Sequence, residues 1–175
     1  MEPAEITRLI EKGVQAGPFV WADLGAGDGA FTRALHELLG PEGEIYAIDK
    51  STVRIHNLKR AFAGRDAHMH FIAGNFTHSF NVPPLDGILM ANAIHFVEDK
   101  SAFLKNIMKT LKPQGTLLIV EYDIEEGNHF VPYPLSFASF ESIAASAGFE
   151  PPRLLATAES KYWDHIYAAV TNARE

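Results

Sequence analysis

Short apolar runs alternate with amphipathic helical stretches along most of this 175-residue chain. Strand-like runs occupy positions 19–24, 44–48, 69–73, 85–91 and 116–122, with helical patterns in most of the intervals. Consecutive parallel strands need a crossover connection, which is usually a helix. This order therefore predicts an α/β fold, in which helices cover a parallel sheet. In such folds, ligands bind beyond the carboxyl ends of the strands.

The helices are predicted from apolar residues that recur at intervals of three and four. Ile6, Leu9 and Ile10 mark the first, and the later ones cover about 31–39, 51–62, 101–112 and 136–147. Two late strands are predicted at about 153–158 and 162–171, and the turn near 159–161 is short enough for a hairpin. Trp21 and Trp163 fall in strand patterns and are predicted to be core residues. No linker-like segment appears, so residues 1–175 are predicted to form a single domain.

Composition excludes several classes of function. The absence of cysteine rules out disulfides, thiolate metal sites and cysteine catalysis. A net charge of −7 argues against a nucleic-acid partner, which needs a basic face. No apolar run reaches the ~18–20 residues of a membrane span, and the N-terminus has no signal-like apolar segment, so a cytoplasmic location is expected. The histidines show no metal-ligand spacing, and no metal site is predicted.

A glycine-rich loop with the sequence DLGAGDGA lies between the first strand and the next helix, at residues 23–30. Gly25, Gly27 and Gly29 allow the backbone to turn sharply and let a ligand approach without Cβ atoms in the way. The pattern also fits G-x-G-x-x-A, so a dinucleotide site has to be considered. The loop by itself does not distinguish a dinucleotide from other ligands.

Charged residues around the loop favour a cationic ligand. A pyrophosphate prefers helix-terminal N–H groups without neighbouring carboxylates, whereas Asp23 and Asp28 bracket this loop. S-adenosylmethionine brings an ammonium and a sulfonium, which such acids would favour. Two structural roles stay open: Asp23 could fix the turn, and Asp28 could cap the helix. Asp49 ends the second strand 20 residues after Gly29, which suits a carboxylate that accepts two ribose hydroxyls or a helix-entry acid.

At this point the chain resembles the class I S-adenosylmethionine-dependent methyltransferases, especially the small-molecule group that includes quinone-biosynthesis enzymes. The resemblance covers nearly the whole chain. VWADLGAGDGAFT is similar to the first motif of the family, IYAIDKS to the second and HFIAGNF to the third. LKPQGTLLIVEYD resembles the signature that leads into the fifth strand, and SFASFESIAASAGF resembles the late helix.

The resemblance implies a Rossmann-like three-layer sandwich, with a seven-stranded, mostly parallel sheet of order 3-2-1-4-5-7-6 whose last strand is antiparallel. It implies S-adenosylmethionine as the cofactor. At position 75 the family usually has an acid that meets the adenine amino group, and an amide oxygen can accept the same hydrogen bond. The residues expected to bind the cofactor are Asp23, Gly25, Ala26, Gly27, Gly29, Asp49, Lys50, Asn75, Phe76 and Asn92.

Methyl transfer is an in-line displacement at a sulfonium carbon, so the protein mainly aligns the nucleophile and removes a proton where needed. His95 follows the fourth strand and is the candidate base, because histidine is the residue type that exchanges protons near neutral pH. A histidine that packs over the cleft without transferring protons is the alternative. Residues after the fifth strand could line an acceptor pocket or simply cover the core: Tyr122, Asp123, His129, Phe130 and Tyr133.

Two other functions stay open at this point. One is an NAD(P)-dependent reductase, against which Asp23 and Asp28 count. The other is a non-catalytic domain that binds S-adenosylmethionine or a partner. The expected partner is a small-molecule methyl acceptor, and a second subunit in a homodimer could complete the pocket of so short a chain.

Overall fold

Helices and strands alternate along the chain in the computed structural model, which describes residues 1–64, 68–78, 80–160 and 165–174. The helices are α1 (Pro3–Ile10), α2 (Ala30–Leu39), α3 (Thr52–Ala61), α4 (Lys100–Met108) and α5 (Phe137–Ala147). The strands are β1 (Val20–Leu24), β2 (Glu44–Asp49), β3 (Met69–Ala73), β4 (Leu85–Ala91), β5 (Leu111–Tyr122), β6 (Arg153–Glu159) and β7 (His165–Asn172). Most predicted elements are therefore confirmed to within a few residues.

The described strands form one seven-stranded sheet of order β3-β2-β1-β4-β5-β7-β6. Strands β1 to β5 pair in parallel, and β7 runs antiparallel to both of its neighbours, β5 and β6. The predicted fold class, strand order and antiparallel last strand are confirmed. Because β1 and β4 are adjacent while their connections leave in opposite directions, the carboxyl ends of these two strands open a crevice.

Two apolar clusters hold the helices against the sheet. On one face, Phe103 of α4 and Phe140 of α5 pack with buried strand residues. On the other face, Leu9 of α1, Leu35 of α2 and Leu58 of α3 do the same. These contacts give a three-layer sandwich in which the sheet is covered on both faces. No described helix is long and apolar enough to cross a membrane.

The predicted boundary between the fourth helix and the fifth strand is wrong. The helix was expected to run to residue 112, but α4 ends at Met108 and β5 begins at Leu111. Leu111 pairs with Leu85 of β4, and the register shifts before the next pair, Gly87 and Thr116. Pairing with β4 thus overrides the helical spacing of Leu111, and Pro113 and Gly115 lie inside the strand rather than at a helix end.

Other sequence predictions have mixed outcomes. Trp21 is a core residue, with 3% of its surface exposed. Ser51 caps α3, since its side chain accepts a hydrogen bond from the Arg54 N–H. Gly148 closes α5 in a left-handed conformation. Trp163, the start of the predicted last strand and part of the turn at 159–161 lie outside the described residues.

Candidate cofactor site and active site

The glycine loop combines a tight contact with an open face. Gly25, Gly27 and Gly29 all have positive φ angles, of 84°, 56° and 79°. A Cβ atom on Gly25 would lie 2.7 Å from the Cβ of Ala93, so the loop packs directly on the segment after β4. A Cβ on Gly27 would meet nothing closer than 3.8 Å, so this glycine faces free space. Gly25 therefore closes the crevice, and Gly27 leaves room above it.

Four N–H groups of the loop donate hydrogen bonds within the protein. Gly25 and Ala26 both donate to the Ile48 carbonyl oxygen, at 2.8 and 3.0 Å. Gly27 donates to Asp49 Oδ2 at 2.9 Å, and Gly29 donates to the Ala26 carbonyl oxygen at 2.9 Å. A pyrophosphate needs such groups free to bind its oxygens. This arrangement makes the loop a poor dinucleotide cradle.

The two acids that bracket the loop lie in opposite environments. Asp23 is 1% exposed, and Thr32 Oγ1 donates to its Oδ2 at 2.6 Å. Burial raises the pKa of Asp23 to about 7, against the Thr32 hydrogen bond, and the Asp49 charge raises it further. Asp28 is exposed and lies 3.6 Å from Arg54 Nε. One interpretation expected Asp28 to cap α2. It does not, because Gly29 is the N-cap residue of that helix.

Asp49 and Lys50 lie at the carboxyl end of β2, beside the loop. Asp49 is 6% exposed, and its Oδ1 accepts a hydrogen bond from the Ser51 N–H at 2.8 Å while Oδ2 accepts from Gly27. Lys50 Nζ lies 5.6 Å from the ring centroid of Phe96, in the segment after β4. The β2 end and the post-β4 segment therefore face each other across the crevice.

Phe76, after β3, joins this site, whereas the Asn75 oxygen is used locally. The Phe76 ring packs edge-on against Phe103, with centroids 5.8 Å apart, and Cε1 would lie 3.3 Å from a Cβ on Gly25. It lines an apolar cavity of about 650 Å³ between the β3–β4 connection and α4. Asn75 is exposed, and its Oδ1 accepts two hydrogen bonds from Thr77, from the N–H and from Oγ1. An adenine amino group would have to displace one of them.

Asn92 presents an unpartnered oxygen at the carboxyl end of β4. Its φ of 49° lies in the left-handed region, which asparagine tolerates better than most residues, and its N–H donates to the Val120 carbonyl oxygen at 2.8 Å. Oδ1 is buried and accepts no hydrogen bond within the described part of the chain. The side chain lines a second cavity, of about 560 Å³, together with Tyr122 and Ile166. A buried orphan acceptor of this kind suits a ligand donor.

His95 lies in a short 3₁₀ turn after β4, paired with a buried carboxylate that the sequence interpretation missed. Its Nδ1 lies 3.0 and 2.9 Å from the two carboxylate oxygens of Glu121 in β5. His95 is 4% exposed and Glu121 is fully buried. An ionised carboxylate only accepts hydrogen bonds, so in that state Nδ1 is the donor, and Nε2 is the basic nitrogen whenever the ring is neutral. No described protein atom pairs with Nε2.

A buried lysine, also missed, lies beside this pair. Lys100 opens α4, is 6% exposed and donates from Nζ to the Val97 carbonyl oxygen at 2.9 Å. The signal for Glu121 was an acid at the end of the apolar run TLLIVEY, directly after four buried aliphatic residues at 117–120. Lys100 gave no comparable signal, since a lysine in the first turn of a helix is usually exposed.

The predicted acceptor-pocket residues divide into two groups. Tyr122 lines the second cavity, and the Tyr133 N–H donates to the His95 carbonyl oxygen at 3.1 Å. Asp123 instead supports α5, because its Oδ1 accepts a hydrogen bond from the Phe137 N–H. His129 packs edge-on against Phe130, whose ring is 72% exposed. Within the described ranges, no cluster of three histidines or acids has metal-site geometry.

Comparison with known proteins identifies the family. The methyltransferase-domain family matches residues 22–117, from β1 into β5. The chain belongs to this family. It is 31% identical over 121 residues to the ubiquinone/menaquinone biosynthesis C-methyltransferase UbiE of Marinomonas sp. (strain MWYL1), covering 67% of this chain and 48% of that protein. The match to UbiE of Pasteurella multocida (strain Pm70) is 30% over 113 residues, covering 63% and 42%. This methyltransferase domain therefore spans less than half the length of these two relatives.

Solved structures show the same architecture over the whole methyltransferase domain. A SAM-dependent methyltransferase from Aquifex aeolicus superposes with a TM-score of 0.72 over 98% of both chains, at 18% identity. At that identity the likeness establishes the fold. Together with the family match, it makes the chain a class I, S-adenosylmethionine-dependent methyltransferase domain, as the sequence motifs predicted.

Proposed function

We propose that the chain transfers a methyl group from S-adenosylmethionine to a small-molecule acceptor that must lose a proton, with His95 as the base. The observation that carries this proposal is the buried His95–Glu121 pair, at the carboxyl edge of the sheet where the glycine loop also lies. When bound, the sulfonium supplies an electrophilic methyl carbon. The protein's own contribution is to bind the donor, orient the acceptor and hold the proton.

The residues at the crevice fit such a donor. Free space above Gly27 accommodates a ligand, and the occupied N–H groups of the loop disfavour the pyrophosphate of a dinucleotide. The unpartnered Asn92 Oδ1 can accept a hydrogen bond from an ammonium, and the buried Asp23 carboxylate supplies the opposite charge. These features favour the methyltransferase over the reductase interpretation. We propose Asp23, Gly25, Ala26, Gly27, Gly29, Asp49, Lys50, Asn75, Phe76 and Asn92 as the donor-binding residues.

The raised pKa of Asp23 leads to a testable pH dependence. Ionisation of this carboxylate should destabilise the fold but favour the binding of S-adenosylmethionine. Its pKa is raised to about 7 in the fold, so the free energy of unfolding falls as pH rises from about 4 to 7, by at most ~4 kcal/mol. Asp23→Asn keeps an acceptor for Thr32, so we expect a higher melting temperature than wild type at pH 8 and no difference at pH 4. A bound ammonium compensates the ionised carboxylate, so the same substitution should weaken S-adenosylmethionine binding at pH 8.

The measurement is a thermal melt of both proteins across pH 4–8, with and without S-adenosylmethionine. Wild type should also release a proton on binding near pH 6.5, which is detected by calorimetry in buffers of different ionisation enthalpy. A variant that binds as tightly as wild type at pH 8 would remove Asp23 from the donor site.

Asp49 is proposed to bind the ribose hydroxyls of the donor. Asp49→Ala should weaken binding by ~1–3 kcal/mol, as expected for a lost charge-assisted hydrogen bond. Because Asp49 also holds the N–H groups of Gly27 and Ser51, alanine could act by loosening the loop. Asp49→Asn is the matched control, since its amide oxygen preserves one of these bonds. Titration calorimetry with S-adenosylmethionine and with methionine separates the roles: only the nucleoside should lose affinity if Asp49 binds the ribose.

The His95–Glu121 pair defines the class of acceptor that we propose. Glu121 holds the ring through Nδ1, so Nε2 is oriented to receive a proton from an acceptor bound beside it. Such a base helps a phenol or an activated C–H acid, whereas a tertiary amine has no proton to lose. We expect a panel of small molecules, incubated with methyl-labelled S-adenosylmethionine, to yield labelled products from phenols and 1,3-dicarbonyl compounds. Labelling of tertiary amines alone would contradict the role of His95.

The binding partners of the protein and its cellular location are also proposals. A net charge of −7 supports a small molecule over a nucleic acid as acceptor. Phe96 and Phe130 are 54% and 72% exposed, and a second copy of the chain in a homodimer could cover them. A concentration-dependent mass measurement tests this, and an active protein that stays monomeric at every concentration would exclude it. The cytoplasmic location stays a prediction.

A further inference from the structure

The most unusual charged side chain outside the predicted site is Lys100. A lysine that is 6% exposed is rare, because taking an ammonium out of water is unfavourable unless a counter-charge lies nearby. Burial lowers the pKa of the Lys100 ammonium, and the Glu121 charge acts in the opposite direction. One Nζ–H bonds to the Val97 carbonyl oxygen, and Nζ lies 5.7 Å from the ring centroid of Tyr133. Lys100 thus contacts both segments that flank His95.

We infer that Lys100 is a positioning residue for the reaction, whose buried ammonium balances the charge of Glu121 and so keeps the His95 ring neutral. This inference rests on the proposed function, in which the neutral ring is the base. It concerns a group that does not itself contact the donor or the acceptor.

Charge balance in the buried cluster links Lys100 to the His95 ring. Glu121 is fully buried, so an ionised carboxylate there is most stable with one compensating positive charge nearby. Lys100 and a protonated His95 compete for that role. With the ammonium present, the ring can stay neutral and keep Nε2 free to take a proton. Without it, a proton has to neutralise Glu121, either on the carboxylate itself or on the His95 ring, and protonation of the ring removes the base.

Other titratable groups near the cluster do not replace Lys100. Tyr167, from β7, is buried and donates to the Leu135 carbonyl oxygen; burial raises its pKa well above the ordinary range, as do Glu121 and Asp123, so it stays neutral. Asp123 adds negative charge but is exposed and therefore screened by water. Lys50 Nζ lies 5.6 Å from the centroid of the Phe96 ring, and that ring contacts His95.

Anchoring of the chain is the alternative role, because Lys100 also holds the Val97 carbonyl oxygen. The two roles differ in what they predict for the ring. A purely structural lysine would change melting temperature without changing the pH at which His95 titrates. A charge-balancing lysine would shift that titration even in a well-folded variant.

The test compares Lys100→Met with wild type by NMR titration of the His95 ring, which requires no methyl acceptor. We expect the midpoint to move to higher pH by about one unit or more, as for removal of a nearby like charge. The acid limb of the kcat–pH profile should move in the same direction, while KM for S-adenosylmethionine stays unchanged. An unchanged ring midpoint in the folded variant would overturn the inference, whether or not the protein transfers methyl groups.

Three further variants make the result decisive. Lys105→Met removes the same charge from the exposed side of α4 and should leave the ring titration unchanged. Lys100→Arg retains the charge and should restore the wild-type midpoint. If Lys100→Met does not fold, Lys100→Gln can keep a donor for Val97 and should show the same upward shift. A shift in Lys105→Met as large as in the Lys100 variants would also contradict the inference.

Discussion

Replacing His95 by asparagine should lower kcat by a factor of about 10²–10⁴, the usual contribution of a general base, while leaving the Kd for S-adenosylmethionine unchanged. Asparagine removes Nε2, the basic nitrogen of the ring. Its amide nitrogen can still donate to Glu121 in place of Nδ1, so the buried carboxylate keeps a partner. The loss is therefore assigned to proton transfer rather than to a destabilised fold.

The choice of substitution matters because of burial. His95→Ala would leave the Glu121 carboxylate without its imidazole partner in the core, and breaking a buried pair in this way destabilises a protein by about 3–5 kcal/mol. A fall in activity in that variant could reflect unfolding alone. Steady-state kinetics and thermal melts of the asparagine variant should be measured together. If it turns over an acidic acceptor as fast as wild type, His95 only lines the cleft.

Replacing Gly27 by valine should abolish donor binding without unfolding the protein. The free space above Gly27 is where we place the ligand, and a branched side chain there would fill it. The positive φ of 56° strains the backbone of any residue other than glycine, so a control substitution at a glycine with a similar positive φ is needed.

Gly64→Val supplies that control. Gly64 has a φ of 79°, lies outside the glycine loop, and a Cβ there meets no described atom within 4 Å. We expect both variants to lose similar stability in thermal melts, and only Gly27→Val to lose binding in calorimetry. Retained affinity in a folded Gly27→Val protein would place the donor elsewhere.

Much of the fold could be predicted because local pattern and global topology agree. Alternating strands and helices, glycines at turns and apolar stripes all favour the same sheet, and the resemblance supplies the strand order. The failure around Leu111 has a clear cause: its spacing continues the helical stripe of α4, but pairing with Leu85 places it in β5. A single sequence does not reveal such competition between local periodicity and a distant strand.

The site was predictable where it depends on the backbone and less so where it depends on packing. Gly25, Gly27 and Asp49 could be named as candidates because turn geometry and strand ends restrict residue type. Glu121 and Lys100 were missed because their importance comes from burial next to His95. Glu121 is 26 positions from His95 in the chain, and only the pairing of β4 with β5 brings these segments together.

The most direct test of the account is titration calorimetry of the purified protein with S-adenosylmethionine, S-adenosylhomocysteine and NADH in parallel. Both sulfur nucleosides have the adenosine and methionine-like groups that the crevice is proposed to hold, whereas NADH brings the pyrophosphate that the loop disfavours. The account predicts micromolar binding of the two sulfur nucleosides and no binding of NADH. Binding of NADH alone would contradict it.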